Sequence, residues 1–260
     1  MTAEPIQWYP GHMARAMRRL AEDLRIVDVV IEAIDARLPH SGANPALDRM
    51  IARKLRLRVL TREDLADPHQ NNAWLAQFRK AGYTAVAIDA KGPSGATRLR
   101  QALKALAGER RGARALVLGI PNAGKSTLIN LLAGRKVART ENRAGVTRAA
   151  QWFRIAGRVE LMDTAGILVP KIETPEAQWK LAIIGALPQA RFEPEDIVRR
   201  FEGWAQDTLG AGRVPDLETF AQQRGLVRRG NVLDTHNAAW AYIKAFNEGT
   251  FGRMTLEAAS

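Results

Sequence analysis

Cysteine is absent from this chain of 260 residues. That excludes disulfides, thiolate metal ligands and cysteine nucleophiles, and is compatible with a reducing cytosol. Long apolar runs are also missing; none approaches the ~20 residues that a membrane span requires. The opening stretch MTAEPIQWYPGHMARAMRR has no apolar signal-peptide core, because Trp8, Tyr9 and Pro10 lead straight into a basic helix. Its Glu4 argues against a mitochondrial presequence. Acidic residues are in short supply: 27 Asp and Glu face 39 Lys and Arg, a net charge of +12 with a pI near 10.6. That imbalance leaves nucleic acid, an anionic membrane or an acidic protein as partners. Core material is ample, since 46% of the residues are hydrophobic, enough for one large domain or two modest ones.

The charge is unevenly placed. Residues 1–112 carry a net +7, residues 113–170 a net +6, and residues 171–260 a net −1. Patterning changes at the same point. Before Pro170, apolar strands alternate with helices: a helix over Met13 to Arg25, strands over 27–34, 55–60 and 84–88, helices around 71–80 and 95–107, a strand over 115–118, a helix over 125–133 and a hairpin from 149–155 and 159–162. Six strands with intervening helices imply an α/β fold with a doubly wound, mostly parallel sheet. After Pro170 the pattern reads as all helical, over 175–186, 194–209, 215–224 and 235–248, several of them opened by proline. The expected domains are 1–172 and a smaller helical one, 173–260.

Gly119-Ile120-Pro121-Asn122-Ala123-Gly124-Lys125-Ser126, followed by Thr127, matches the pattern G-x-x-x-x-G-K-[ST]. It lies between an apolar strand and a helix, the context in which that pattern binds phosphate. The glycines let successive N–H groups turn inward onto an anion, and the helix N-terminus adds partial positive charge. Lys125 then reaches the β- and γ-phosphates, and the Ser126 hydroxyl binds Mg²⁺. Downstream, Asp163-Thr164-Ala165-Gly166 ends an apolar strand, as expected for an Asp holding Mg²⁺ and a glycine N–H that senses the γ-phosphate. Thr147 lies in a polar stretch between these motifs, where it can complete the Mg²⁺ shell when triphosphate is bound.

A phosphate site does not distinguish ATP from GTP. GTPases usually choose with [NT]-K-x-D on a strand downstream of the P-loop, its Asp accepting two guanine N–H donors. Residues 167–260 contain no such motif. Upstream, however, the strand over 55–60 runs into Thr61-Arg62-Glu63-Asp64, and the next strand ends at Asp89-Ala90-Lys91, similar to the S-A-K element that backs the base. Both halves of a GTPase are present in rotated order.

In that order the chain resembles the YlqF (RbgA-like) family of circularly permuted ribosome-biogenesis GTPases. The resemblance rests on Gln7-Trp8-Tyr9-Pro10-Gly11-His12-Met13, Asp35-Ala36-Arg37-Leu38-Pro39, the P-loop with Pro121-Asn122, Gly145-Val146-Thr147, and Asp163 to Gly166 followed by Ile167-Leu168-Val169-Pro170-Lys171. It covers the chain from Ile6 onward, and Phe251-Gly252-Arg253-Met254 also looks like the family's end. It implies a permuted GTPase domain, a helical domain that contacts ribosomal RNA, and cytoplasmic GTP hydrolysis during late maturation of the large ribosomal subunit. The expected state is a monomer with no membrane contact. Two positions depart from the family. The usual N-K-A-D is Thr61-Arg62-Glu63-Asp64 here, which retains the Asp and a side chain able to brace the P-loop. Ala165 replaces the more usual Pro.

Where many GTPases place a glutamine to orient the attacking water, this chain has Ile167, which cannot hydrogen-bond. Turnover is then expected to be slow alone and stimulated by the ribosomal subunit. The resemblance suggests His12 as the residue that positions water; a histidine serving the Pro10-Gly11 turn is the alternative. Asn122 either ligates K⁺ beside the phosphates or shapes the P-loop turn. Arg135, Lys136, Arg139, Arg143 and Arg148, opposed only by Glu141, form either a solvated face or an RNA contact gated by the nucleotide. Arg110, Arg111 and Arg114 form a second cluster, and Arg199, Arg200, Arg224, Arg228 and Arg229 give the helical region local basic patches. Trp152, Trp179, Trp204 and Trp240 are expected in core packing rather than in base stacking. Two other readings remain: an RNA-docking factor with a vestigial nucleotide site, and an ATPase, which Asp64 disfavours.

Overall fold

The computed structural model describes residues 10–43, 45–108, 112–137, 152–155, 159–163, 172 and 174–259. These fall into two compact units. One comprises Ile172–Arg253, and the other the described residues of Gln7–Lys171 together with Met254–Ser260. The break near residue 172 lies where the sequence pattern changes. The second break does not follow the sequence reading, which assigned everything beyond 172 to the helical domain; the end of the chain packs with the sheet instead.

The sheet unit begins with α1 (Pro10–Arg25), β1 (Val29–Asp35), α2 (Pro45–Ile51) and β2 (Leu55–Thr61). It continues through α3 (Pro68–Lys80), β3 (Thr84–Ile88), α4 (Gly95–Ala107), β4 (Ala113–Leu118), α5 (Lys125–Ala133), β5 (Trp152–Ile155) and β6 (Val159–Asp163). The strand order is β3-β2-β1-β4-β6-β5. All neighbours run parallel except β5, which pairs antiparallel with β6 at one edge. The central strands are buried on both faces, as parallel strands covered by helices must be, and this explains their unbroken apolar runs.

One face carries α1 and α2, whose Leu20, Leu24, Leu47 and Ile51 cluster with Val30, Leu116 and Met162. Farther along the sheet, Trp74, Leu75 and Phe78 of α3 pack on Ile34, Leu60 and Ala87. Strand residues alternate between faces, so Ile88, which meets the start of α4 at Gly95, points to the opposite side. There α4 lies against β2 and β3, and α5 against β4 to β6. The six-stranded, doubly wound sheet therefore has the arrangement read from the sequence. Five of its strands point the same way, so β1, β2, β3, β4 and β6 all end on one edge, where α/β folds bind ligands.

The second unit holds α6 (Pro175–Ile183), α7 (Pro194–Leu209), α8 (Leu217–Gln223) and α9 (Thr235–Asn247). Thr174, Asp216 and Asp234 cap α6, α8 and α9 by accepting from backbone N–H groups of the first turn. Its core is aromatic. Phe201 packs against Trp179, Trp204, Tyr242 and Phe246, and the Tyr242 hydroxyl donates to the Pro215 carbonyl at 2.8 Å. The unit is not all helical, as the sequence pattern suggested. β7 (Val227–Arg228) and β8 (Val232–Leu233) form a small antiparallel hairpin. Gly230 and Asn231 turn the chain at φ 85° and 59°, a region that Gly and Asn enter at low cost. Two residues per strand are too few for a readable alternation.

Candidate functional site

The phosphate-binding pattern forms the turn between β4 and α5. Gly119 lies so close to β1 that an added Cβ would sit 2.4 Å from the Ala33 carbonyl oxygen, so no larger residue fits without moving the strand. Gly124 has φ 84° and faces the Thr61 side chain, with an added Cβ 3.4 Å from it. Asn122 is also left-handed, at φ 60°. Lys125 is almost fully buried, and its Nζ donates to the Ile120 carbonyl at 2.8 Å, holding the ammonium across the base of the loop. Ser126 follows it in the first turn of α5, half-buried, while Thr127 is exposed.

The segment at the end of β2 is tied directly to this loop. The Thr61 hydroxyl lies 2.9 Å from the Ala123 carbonyl and 3.2 Å from the Ile34 carbonyl, both as acceptors, with Thr61 itself buried. A threonine thus supplies the brace expected of the family's asparagine. Arg62 takes the left-handed conformation, φ 56°, an uncommon state for a residue with a side chain. Its Nη2 donates to the Asn122 carbonyl at 3.2 Å, and its Nη1 lies 3.7 Å from the Asp35 carboxylate. Burial lowers the Arg62 pKa, against the opposing pull of Asp35.

Asp64 sits in a short 3₁₀ turn, Glu63–Leu65, that buries none of its own residues. Arg98 of α4 pairs with Glu63 in that turn, with contacts of 2.5 and 3.2 Å. Lys91 Nζ lies 3.8 Å from Asp64, and the Lys91 N–H donates to the Asp89 carboxylate at 2.8 Å. The structure therefore brings together Thr61, Arg62, Asp64, Asp89, Ala90 and Lys91 with the P-loop at one edge of the sheet.

Several expected residues lie partly or wholly outside this description. Asp163 closes β6, in register with Val117 of β4, although its side chain is outside the described residues. So is that of His12, in the first turn of α1. Thr147, Gly166 and Ile167 lie wholly outside them, as do Arg110, Arg111, Arg139, Glu141, Arg143 and Arg148. Arg135 and Lys136 are described and exposed.

The sequence reading did not assign a site role to Asp35 or Arg37, although both lie in one of the motifs that carry the resemblance. They form a fully buried, bidentate pair at 2.8 and 2.9 Å beside Arg62. Burial pushes the Asp35 carboxyl up, but Arg37 and then Arg62 outweigh it and hold the group below its ordinary value. An acid at the end of a β-strand that itself ends at the ligand edge was the available signal. The tryptophans divide. Trp179 is core and Trp204 and Trp240 are half-buried, whereas Trp152, expected in the core, is 39% exposed on edge strand β5 with the Arg114 guanidinium over its ring. β5 is the outermost strand, so Trp152 has a strand neighbour on one side only, its partner Met162 of β6. In the helical unit Arg199 and Arg228 are engaged by Glu218 and Asp234, so their charge is partly offset.

Residues 114–192 match a protein family described as 50S ribosome-binding GTPase. The chain is 36% identical to ribosome biogenesis GTPase A of Bacillus cereus, over 97% of this chain and 93% of that protein. It is 40% identical to ribosome biogenesis GTPase A of Bacillus licheniformis, over 97% of this chain and 98% of the relative. A crystal structure of GNP-bound YlqF from T. maritima superposes with a TM-score of 0.77 at 30% identity, covering 95% of this chain and 99% of that one.

Proposed function

We propose that this chain, which belongs to the ribosome biogenesis GTPase A family, hydrolyses GTP to GDP and phosphate on the precursor of the large ribosomal subunit and promotes its late maturation. The observation that carries this reading is the hydrogen bond from Thr61 to the P-loop carbonyl of Ala123. It joins a base-selecting segment to a phosphate-binding segment that lies 62 residues later in the chain, on the edge where the parallel strands end.

In this reading the P-loop N–H groups and Lys125 hold the β- and γ-phosphates. The lysine exchanges the Ile120 carbonyl for phosphate oxygen, a stronger, charge-assisted bond. Asp64 accepts from the guanine ring, Asp89, Ala90 and Lys91 back the base, and Arg62 lays its stem beside it. Hydroxyl and carboxylate oxygens are the ligands Mg²⁺ takes, and Ser126 lies in the first turn of α5, the helix that follows β4, while Asp163 closes the adjacent strand β6, so the residues fit that ion. Ser126, Thr147 and Asp163 would hold it, and when bound it neutralises charge on the transferring phosphoryl group. A K⁺ ligand role for Asn122 belongs to the same reading. Gly166 reports the γ-phosphate through its N–H. His12 positions the attacking water, because Ile167 offers no hydrogen bond; turnover is slow until the ribosomal subunit orders the site. Basic residues before Thr147 contact ribosomal RNA, and the protein works as a cytoplasmic monomer.

The test is turnover of GTP, ATP and XTP with and without large subunits, for the natural chain and for Asp64→Asn. GTP-only, subunit-stimulated hydrolysis that moves to XTP in the variant is the expected result. Absence of turnover under every condition would leave an RNA-docking protein with a vestigial site, and ATP turnover would overturn the base assignment.

A further inference from the structure

We propose that the segment from Met254 to Ala259 is a strap that sets the base selectivity of the nucleotide site, with Thr255 as its positioning residue. This rests on the reading of Asp64 as the carboxylate that selects guanine.

The strap holds the loop that carries Asp64. The Met254 N–H donates to the carbonyl of Leu65, the residue after Asp64, at 3.0 Å. The Thr255 hydroxyl accepts from the Asp67 N–H at 3.1 Å and lies 3.5 Å from the Ala36 carbonyl, to which it donates. The Leu256 N–H donates to the Arg37 carbonyl at 2.8 Å. Ala36 in turn donates to the Thr61 carbonyl at 2.9 Å. Thr255 therefore bridges the two ends of the Thr61–Asp67 segment, one directly and the other through Ala36.

The far end is fastened as firmly. The Glu257 carboxylate accepts from the His40 N–H at 2.7 Å and from the Ser41 hydroxyl at 2.5 Å. The Glu257 carbonyl accepts from Trp74 Nε1 at 3.0 Å, and the Ala259 N–H donates to Gln70 Oε1 at 3.1 Å. Met254 and Leu256 are buried.

A terminal segment fastened at this density needs a reason, and the loop it holds supplies one. The turn that carries Asp64 buries no residue of its own fully, so packing holds it less tightly than the strands beside it. A carboxylate that must meet the ring N1–H and the 2-amino group of guanine together has to be held to a fraction of an ångström. Hydrogen bonds must do this: Arg98 on Glu63, Thr61 on the P-loop, and the strap on Leu65 and Asp67.

The experiment uses the full chain and measures dissociation constants for GDP and IDP by displacement of a fluorescent GDP analogue. IDP lacks the 2-amino donor, so the ratio of the two constants reads Asp64 placement, whereas loss of fold or of phosphate binding moves both together. Thr255→Val is expected to lower the GDP preference by about tenfold, with IDP affinity falling less because IDP keeps the N1–H donor, and Thr255→Ser to restore it. Glu257→Ala, which frees the far end, is expected to lower the preference less and serves if the valine variant does not fold. An unchanged ratio in folded variants overturns the strap alone, as does a parallel loss of both affinities. If the natural chain shows no preference for GDP over IDP, the Asp64 reading fails and the strap proposal falls with it.

Discussion

The hydroxyl of Thr61 donates to the carbonyl of Ala123 across 2.9 Å, fastening the last residue of β2 to the P-loop. The contact couples the end of β2 to the loop between β4 and α5, because any shift of β2 relative to that loop has to break a buried hydrogen bond.

Replacing Thr61 with Val keeps the shape and removes the donor, leaving a buried carbonyl without it. Such losses cost about 1–3 kcal/mol, so affinity for GDP should fall roughly tenfold in titration calorimetry. Thr61→Asn restores the residue usual in the family and supplies an amide donor. It is expected to bind GDP at least as well as the natural chain.

The pair of Asp35 and Arg37 predicts an inverted pH response. With the folded pKa of Asp35 held below its ordinary 3.8, the pair's contribution to stability is complete above that value. It is lost as pH falls through the lower folded value. Arg37→Met removes the main opposing charge, so burial then raises the Asp35 pKa. Breaking a buried pair in this way costs about 3–5 kcal/mol at neutral pH. The variant's stability should therefore decline as pH rises, the opposite of the natural chain's behaviour near pH 4. Urea denaturation at pH 3, 4.5 and 7 measures both signs: the natural chain loses stability between pH 4.5 and pH 3, the variant between pH 4.5 and pH 7.

Replacing His12 with Ala is expected to abolish turnover stimulated by the large subunit while leaving GTP binding within twofold of the natural chain. Single-turnover rates and equilibrium titration separate these quantities. Unchanged stimulation removes His12 from the mechanism.

The parts of this molecule that could be read in advance are those whose signal is local. β3, α4, α5 and α7 have the bounds that periodicity suggested, because each carries its own apolar pattern and its own start or stop residue. Thr61, Asp64, Lys125 and Ser126 could be singled out in advance because each lies in a short motif placed beside a recognisable strand. α2 was missed, since its seven residues give too few turns for a periodic stripe even though Leu47 and Ile51 are core. The surroundings of Asp35 depend on Arg62, in another loop, and residues 254–259 have partners 183 to 219 residues away. No local pattern records such pairings. Trp152 shows the reverse failure, for an aromatic on a strand reads as core until the strand proves to be an edge.

Residues 254–259 are synthesised after the whole of Ile172–Arg253, yet they belong to the unit that precedes it. The nucleotide unit therefore has no way to finish folding domain by domain as the chain emerges, because its closing hydrogen bonds wait on a stretch made only after the helical unit. A chain cut at Lys171 would contain the whole sheet and still lack the hydrogen bonds that Met254 and Thr255 make to Leu65 and Asp67. If residues 254–259 set guanine selectivity as proposed, that selectivity would arrive late in synthesis, only after the helical unit has been made.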